Sequence, residues 1–297
     1  MDTQANIPRP MVPLCGWALL IGLPVSVLLL APHDCPRWAL MWALAGSIYV
    51  GCKWLTWCST HVRGVPWWRH AGYLLAWPGL DAARFLERPA TVQPSPREWT
   101  FAAAKCSAGI ALFLSAGRLA PADRMHFAGW IGMVGMVLTL HFGLFHLLSC
   151  VWRYAGVDAR PLMDRPLSSE SVSEFWGRRW NTAFRDLTHR FLFEPLARRV
   201  GSRGAILAGF VFSGVIHDVV ISVPARGWYG GPTLFFAVQA CAMLLERSAA
   251  GQRRGLARGA VGRVFTFAVL VAPVYCLFHP PFVERIVLPF MRTLGAL

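Results

Sequence analysis

Gly204-Ala-Ile-Leu-Ala-Gly-Phe-Val-Phe-Ser-Gly-Val-Ile-His217-Asp-Val-Val-Ile-Ser-Val223 reads as a membrane span with an imidazole inside it. At 1.5 Å of rise per residue, a helix of this length crosses about 30 Å, the thickness of a bilayer's hydrocarbon. An ionisable side chain at that depth costs a few kcal/mol even on the milder insertion scales, which marks His217 as a candidate working group. One imidazole in a dry pocket points to proton-transfer chemistry.

The whole chain has the same character. Of its 297 residues, 55% are hydrophobic and only 15% charged, with 14 Trp, a composition that a water-soluble domain cannot bury. The fold class read from it is all-α: a polytopic membrane bundle of about seven to eight transmembrane helices plus a cytosolic amphipathic helix, forming one membrane-embedded domain over 1–297. Seven stretches meet the length and apolarity of a span: 14–30, 38–58, 100–116, 126–152, 204–223, 232–247 and 261–279. Residues 66–80, broken by Arg69, and 282–294, broken by Glu284, Arg285 and Arg292, suit re-entrant or interfacial pieces. The first span, with Pro13 and Pro24, reads as a retained helix and not as a cleaved signal.

Loop cations orient the bundle. With the N-terminus in the cytoplasm, inner loops carry 21 Arg, among them Arg9, Arg69 and Arg88, against 6 on the outer side; Lys53 and Lys105 fall within spans. The positive-inside rule therefore expects the N-terminus in and the C-terminus out, in a bacterial inner membrane. The net charge of +14 then reflects topology and attraction to anionic lipid, and it does not imply nucleic acid, because the basic residues are scattered over separate juxtamembrane loops. The 8 Cys show no C-x-x-C pairing and imply neither a disulfide framework nor a zinc site.

The long inner loop 153–203 holds most of the other signals. Ser171-Val-Ser-Glu174 has capping-box spacing. Beyond it, apolar residues recur at Trp176, Trp180, Phe184, Leu187 and Phe191, which predicts an amphipathic helix on the cytosolic face ending before Pro195. Arg185 and Arg190 there read first as interfacial anchors. Asn181, an amide beside Trp180 at the edge of an apolar stripe, needs polar partners.

On the His217 helix, Gly209, Ser213 and His217 follow at i, i+4 and i+8 with Gly214 beside them, so one face is small and polar. That face suits a groove leading to the imidazole; the plainer alternative is tight helix packing with His217 bonded to a neighbour. Ser213 is within helical reach of His217, but no acidic residue at i±3 or i±4 orients the ring, which argues against a Ser-His nucleophile. His141 and His146, five apart, do not share an α-helical face; a haem or metal role for them competes with simple polar packing between helices.

Phe175-Trp176-Gly177-Arg178-Arg179-Trp180-Asn181, followed some thirty residues on by Phe212-Ser213-Gly214-Val-Ile-His217, resembles the paired signature of wax-synthase-like members of the membrane-bound O-acyltransferase superfamily. Trp77-Pro-Gly-Leu-Asp81 and Phe142-Gly-Leu-Phe-His146-Leu-Leu-Ser149 extend the likeness over most of the chain after residue 70. The resemblance implies an enzyme that transfers a fatty acyl group from acyl-CoA to a hydroxyl, typically a long-chain alcohol or diacylglycerol. His217 would be the catalytic histidine and Asn181 the second polar catalytic residue. Trp176, Arg178, Arg179, Trp180 and Ser213 are the associated substrate-binding candidates; the guanidinium forks of the two arginines suit CoA phosphates, with anchoring to lipid headgroups the plainer alternative. No metal and no cofactor is expected beyond acyl-CoA as co-substrate; the expected partners are acyl-CoA, a lipophilic alcohol and membrane lipids. Two departures stand out: Asp218 follows His217 where related sequences commonly have Glu, and the chain is shorter than usual for the superfamily. A different class, a transporter or flippase relaying protons through His217, His141 and His146, fits the same intramembrane histidines, but the chain shows no convincing inverted repeat.

Overall fold

The helices start where the sequence supplies a stop for the preceding chain and a partner for the first free amides. Pro36 and Pro66 stand immediately before two of them, and Ser95 caps a third by accepting the amide of Glu98 at 3.2 Å, with Pro96 at the first helical position. A computed structural model describes residues 14–87, 91–121 and 123–297; Arg9, Pro13 and Arg88, used above for topology and the first span, lie outside them. Among the described residues regular structure is entirely helical.

The order is α1 (Leu14–Leu30), α2 (Arg37–Cys58), α3 (Trp67–Ala76), α4 (Ala82–Leu86), α5 (Pro96–Leu119), α6 (Met125–Val137), the π-helical π1 (Leu138–Leu144) and α7 (Phe145–Tyr154). A loop with one 3-10 turn leads to α8 (Val172–Glu174), π2 (Phe175–Arg179), α9 (Thr182–Thr188), π3 (His189–Phe193), α10 (Glu194–His217), π4 (Asp218–Ser222) and α11 (Val223–Ala225). The chain closes with α12 (Gly231–Arg247), α13 (Ala249–Arg253), α14 (Gly259–Val271), α15 (Val274–Leu277), α16 (Pro280–Phe282), π5 (Val283–Val287) and α17 (Leu288–Thr293).

Among the described residues, four helical runs are long and apolar enough to cross a bilayer: Pro96–Leu119, Met125–Tyr154, Thr182–Ala225 and Gly259–Leu277; Gly16–Leu30 is apolar but shorter. The seven stretches read as spans fall on helical runs, with 38–58 on α2 and 232–247 on α12, and the last, 261–279, covering α14, a turn and α15 and ending two residues beyond it. The protein is thus an all-helical integral membrane protein. On α10 the apolar residues Val211, Phe212 and Val215 are exposed while Gly214 is buried, the pattern of a helix with one face toward lipid.

The amphipathic segment differs from the sequence expectation. Instead of one helix ending before Pro195, the chain breaks at Trp180–Asn181, and its helical run passes through Pro195 to Ala225. Asn181 adopts the left-handed conformation (φ 43°), which Asn tolerates better than most residues and which interrupts the right-handed helix. Pro195 sits in the first turn of α10 directly after a π turn, where altered backbone pairing absorbs its missing N–H; the break comes at Gly201 instead (φ 73°, ψ 167°).

Buried polar groups lock the bundle. Lys53 on α2 is 2% exposed; its Nζ donates to the carbonyl of Gly79 at 2.5 Å and lies 3.5 Å from the centroid of Tyr73. Tyr49 donates to the Trp77 carbonyl at 3.0 Å, so α2 holds the 77–79 stretch at two points. Arg69, expected to interrupt an interfacial segment, is instead buried, and its guanidinium donates to the carbonyls of Leu86, Glu87 and Gly156. It ties α3 to the end of α4 and to the turn after α7.

Candidate functional site

Helix α10 delivers His217 to the point where α12 crosses closest. A Cβ on Gly214 would lie 2.6 Å from the Cα of Thr233, so only glycine permits that approach. The imidazole packs on Phe236 of α12 with ring centroids 4.5 Å apart. Its Nδ1 lies 2.7 Å from the carbonyl oxygen of Ser213 one turn back. A carbonyl only accepts, so Nδ1 carries the hydrogen, and in the neutral ring Nε2 holds the lone pair. Nε2 has no hydrogen-bond partner among the described residues, which leaves the basic nitrogen available.

The Ser213 hydroxyl points elsewhere: it donates to the Gly209 carbonyl at 3.0 Å. The contact between Ser213 and His217 is therefore through the backbone, and no Ser-His nucleophilic pair is assembled.

Asp218, the residue that departs from the usual Glu, turns away from His217 into a network of its own. It accepts the amides of Gly230 at 2.8 Å and Thr233 at 3.1 Å, the Thr233 hydroxyl at 2.5 Å and the Ser222 hydroxyl at 2.8 Å. Ser222 also meets Nε2 of the fully buried His279 at 3.2 Å. Asp218 thus caps the N-terminus of α12 and fixes its position against the His217 turn.

The other half of the motif lies on π2 and the break after it. Trp176 packs on Phe210 and Phe236, so it shares the Phe236 ring with His217, and its Nε1 donates to Oε1 of the buried Gln239 at 3.3 Å. Trp180 stacks on Phe175 and on His141, the latter at 6.2 Å and 14°. Asn181 follows Trp180; its amide N–H points at Met163 Sδ, 3.2 Å away, and its side-chain amide has no hydrogen bond among the described residues. Ala183 and Leu187 of α9 belong to an apolar cluster against which Ile216, Val219 and Val220, the sequence neighbours of His217, also pack. The two motif halves, thirty residues apart in sequence, are brought to the same region of the bundle.

Arg178 and Arg179 part company. Arg179 donates from Nε and NH2 to Glu174 Oε1 at 2.9 and 2.7 Å, and from NH1 to the carbonyls of Asp164 and Arg165. Arg178 is exposed and has no ion pair among the described residues. Glu174 receives the Glu170 amide as well, and these donors hold its carboxyl below the usual carboxylate range, the Glu170 amide most and Arg179 next. Half of the expected capping box forms: Ser171 accepts the Glu174 amide at 2.9 Å, but Glu174 reaches back to Glu170 and not to Ser171.

The residue that sequence reading missed is Glu246 of α12. It is 1% exposed, and its two oxygens accept the amides of Val172 and Ser173 at 2.8 Å each, fastening the start of the motif helix to α12. In sequence it is one acidic residue at the end of an apolar run, with nothing to announce its partner. Arg185 and Arg190 also do more than anchor to an interface: they donate to the carbonyls of Gly177 at 2.7 Å and Ser59 at 3.0 Å.

His146 belongs to a separate cluster. Its ring nitrogens meet Lys105 Nζ at 2.8 Å and Glu98 Oε1 at 2.9 Å, and Arg153 binds the same Glu98 oxygen. Ligand atoms of Glu98, His146 and Cys150 lie within 4.8 Å of one another, a spacing a metal ion accepts. Two fixed cations already occupy those atoms, so the arrangement is read as an ion-pair network joining α5 to α7.

Residues 159–238 match the membrane bound O-acyl transferase family. The chain is 31% identical over 142 residues to a probable long-chain-alcohol O-fatty-acyltransferase 7 from Arabidopsis thaliana, covering 44% of this chain and 42% of that protein. To the long-chain-alcohol O-fatty-acyltransferase of Simmondsia chinensis it is 37% identical over 73 residues, covering 22% and 20%. A probable long-chain-alcohol O-fatty-acyltransferase 9 of Arabidopsis thaliana is 29% identical over 144 residues, covering 43% and 42%. The matches span less than half the length of these relatives. The matched family segment contains Trp176 through Asn181 as well as His217, so the resemblance to wax-synthase-like members of the membrane-bound O-acyltransferase superfamily, read from those two motifs, is borne out.

Proposed function

We propose that the protein transfers a fatty acyl group from acyl-CoA to the hydroxyl of a long-chain alcohol, forming a wax ester. The observation that carries this reading is the backbone-fixed imidazole: the Ser213 carbonyl holds Nδ1–H, and the partner-free Nε2 of His217 serves as base. As the alcohol oxygen attacks the thioester carbonyl carbon, Nε2 takes the hydroxyl proton. Collapse of the tetrahedral intermediate breaks the C–S bond, and the imidazolium returns the proton to the departing thiolate. General-base assistance of this kind contributes ~10²–10⁴ in rate. Asn181, with its side-chain amide uncommitted, donates to the developing oxyanion, and the exposed Arg178 meets a CoA phosphate.

A water-poor bundle favours the alcohol over bulk water as nucleophile, and the uncharged product leaves into lipid. In this reading the chain crosses the membrane seven or eight times with its N-terminus in the cytoplasm. The named relatives are plant proteins and lend nothing to a bacterial setting. The direct test supplies membranes containing the protein with labelled palmitoyl-CoA and hexadecanol. A labelled neutral ester absent from control membranes is expected; transfer to diacylglycerol alone changes the acceptor, and no ester with either acceptor ends the proposal.

A further inference from the structure

His141 is a second imidazole in the same region with work left undone. It lies in π1 within the Met125–Tyr154 run, its ring nearly parallel to the Trp180 indole and edge-on to Phe145 at 5.3 Å. Its Nδ1 is buried with no hydrogen-bond partner, and Nε2 has none among the described residues. Its neighbour on the same run, His146, has both nitrogens occupied. Simple polar packing between helices therefore accounts for His146 and leaves His141 unexplained.

The tautomer follows from the relative penalty of the two orphan states. A buried N–H without an acceptor is rarer and more costly than an unused lone pair, so the buried Nδ1 holds the lone pair and Nε2 the hydrogen. That is the opposite of His217, where the Ser213 carbonyl places the hydrogen on Nδ1. One imidazole thus offers a lone pair and the other an N–H, the two complements an acyl transfer needs: an acceptor for the alcohol proton and a donor for the carbonyl oxygen. Trp180 carries His141 on its face and is followed by Asn181, so a single motif residue links this donor to the amide already assigned to the oxyanion. The surrounding π turn is a local departure of the kind often found at working sites.

We propose that His141 contacts the substrate, donating its Nε2–H to the thioester carbonyl oxygen and to the oxyanion that develops there. This rests on the acyl-transfer reading given above. A role in packing alone makes the contrary forecast, because Phe preserves the stack on Trp180 and removes a buried orphan nitrogen.

The test compares the parent with His141→Phe in two measurements. In turnover, His141→Phe is expected to lose about two orders of magnitude in kcat, the effect of one oxyanion donor, with the KM for hexadecanol unchanged and thermal stability equal or higher. In binding, S-(2-oxohexadecyl)-CoA keeps a carbonyl but has no thioester to cleave, whereas S-hexadecyl-CoA has no carbonyl. The parent is expected to prefer the oxo analogue by tenfold or more, and His141→Phe to lose that preference. A parent that binds both analogues equally, or neither, overturns the assignment whether or not His141→Phe folds, as does a His141→Phe protein with parental kcat. A parent that makes no ester yet shows the carbonyl preference, abolished in the variant, sinks the transfer reading while keeping His141 as a carbonyl-binding residue.

Discussion

The carbonyl oxygen of Ser213 and the Nδ1 of His217 lie 2.7 Å apart on one turn of α10, and the residue expected to assist the imidazole does so through its backbone and not its hydroxyl. Substituting the serine side chain leaves that hydrogen bond in place. Ser213→Ala should keep most ester formation, while His217→Ala should lose two orders of magnitude or more, the size of a general-base contribution. Steady-state rates of the two variants in matched membranes decide the point: equal loss in both would restore a covalent Ser-His route.

Arg178 and Arg179 should separate in kinetics. Arg178→Ala is expected to raise the KM for acyl-CoA severalfold at nearly unchanged melting temperature, since the exposed side chain makes no hydrogen bond or ion pair among the described residues. Arg179→Ala should lower the melting temperature, because it releases Glu174 and two loop carbonyls. The Glu174 carboxyl, held low in the fold, adds stability above the ordinary carboxylate range, and this is lost as pH falls through its lower folded value. Melting temperatures of the parent should therefore fall on acidification below about pH 4, and those of Glu174→Gln less steeply. Parallel curves would remove Glu174 from the account.

Asp218→Ala removes an acceptor of four hydrogen bonds and uncaps α12 beside the His217 turn. A loss of about 2 kcal/mol is expected, from bonds to a charged group whose donors are then left unpaired. In a chain of this size that lowers the midpoint by on the order of 5 °C, readable by thermal challenge before size-exclusion chromatography. An unshifted midpoint would show that Gly230 and Thr233 find other partners.

Asn181 combines two properties in one residue, an unbonded amide and a left-handed backbone. Asn181→Ala loses both the amide and the conformational tolerance, whereas Asn181→Gly loses only the amide. Activity should fall in both, and melting temperature chiefly in the alanine variant. Full activity in Asn181→Gly would confine the residue to its backbone role.

Topology has a direct reporter test. In the topology proposed from the cation asymmetry, residues 153–203 and 247–263 face the cytoplasm and the C-terminus lies outside. A C-terminal fusion to a reporter active only in the cytoplasm should be silent; a bright fusion requires one further crossing, most simply α3 or the α16–α17 region.

What the sequence made legible was chemistry in a fixed order: an imidazole in an apolar run, and an aromatic–arginine–amide cluster upstream of it. Residue type and spacing carry such information directly. The backbone detail was not legible, because α-helical periodicity is the only ruler a sequence offers. Glu174 and Arg179 are five apart, a separation that does not face on an α-helix, and they meet because π2 widens the turn between them. The break at Asn181 follows from tertiary packing, with Trp180 clamped between Phe175 and His141 on a helix forty residues away. Glu246 escaped notice for a related reason: its partners are backbone amides seventy-odd residues earlier, and backbone amides leave no mark in a sequence.

Lys53 makes α2 depend on a later stretch of the chain. Its Nζ rests on Tyr73 and on the carbonyl of Gly79, twenty and twenty-six residues further along. A buried amine stripped of those partners carries the full penalty of leaving water, so α2 reaches its final packing only when residues 73–79 are in place.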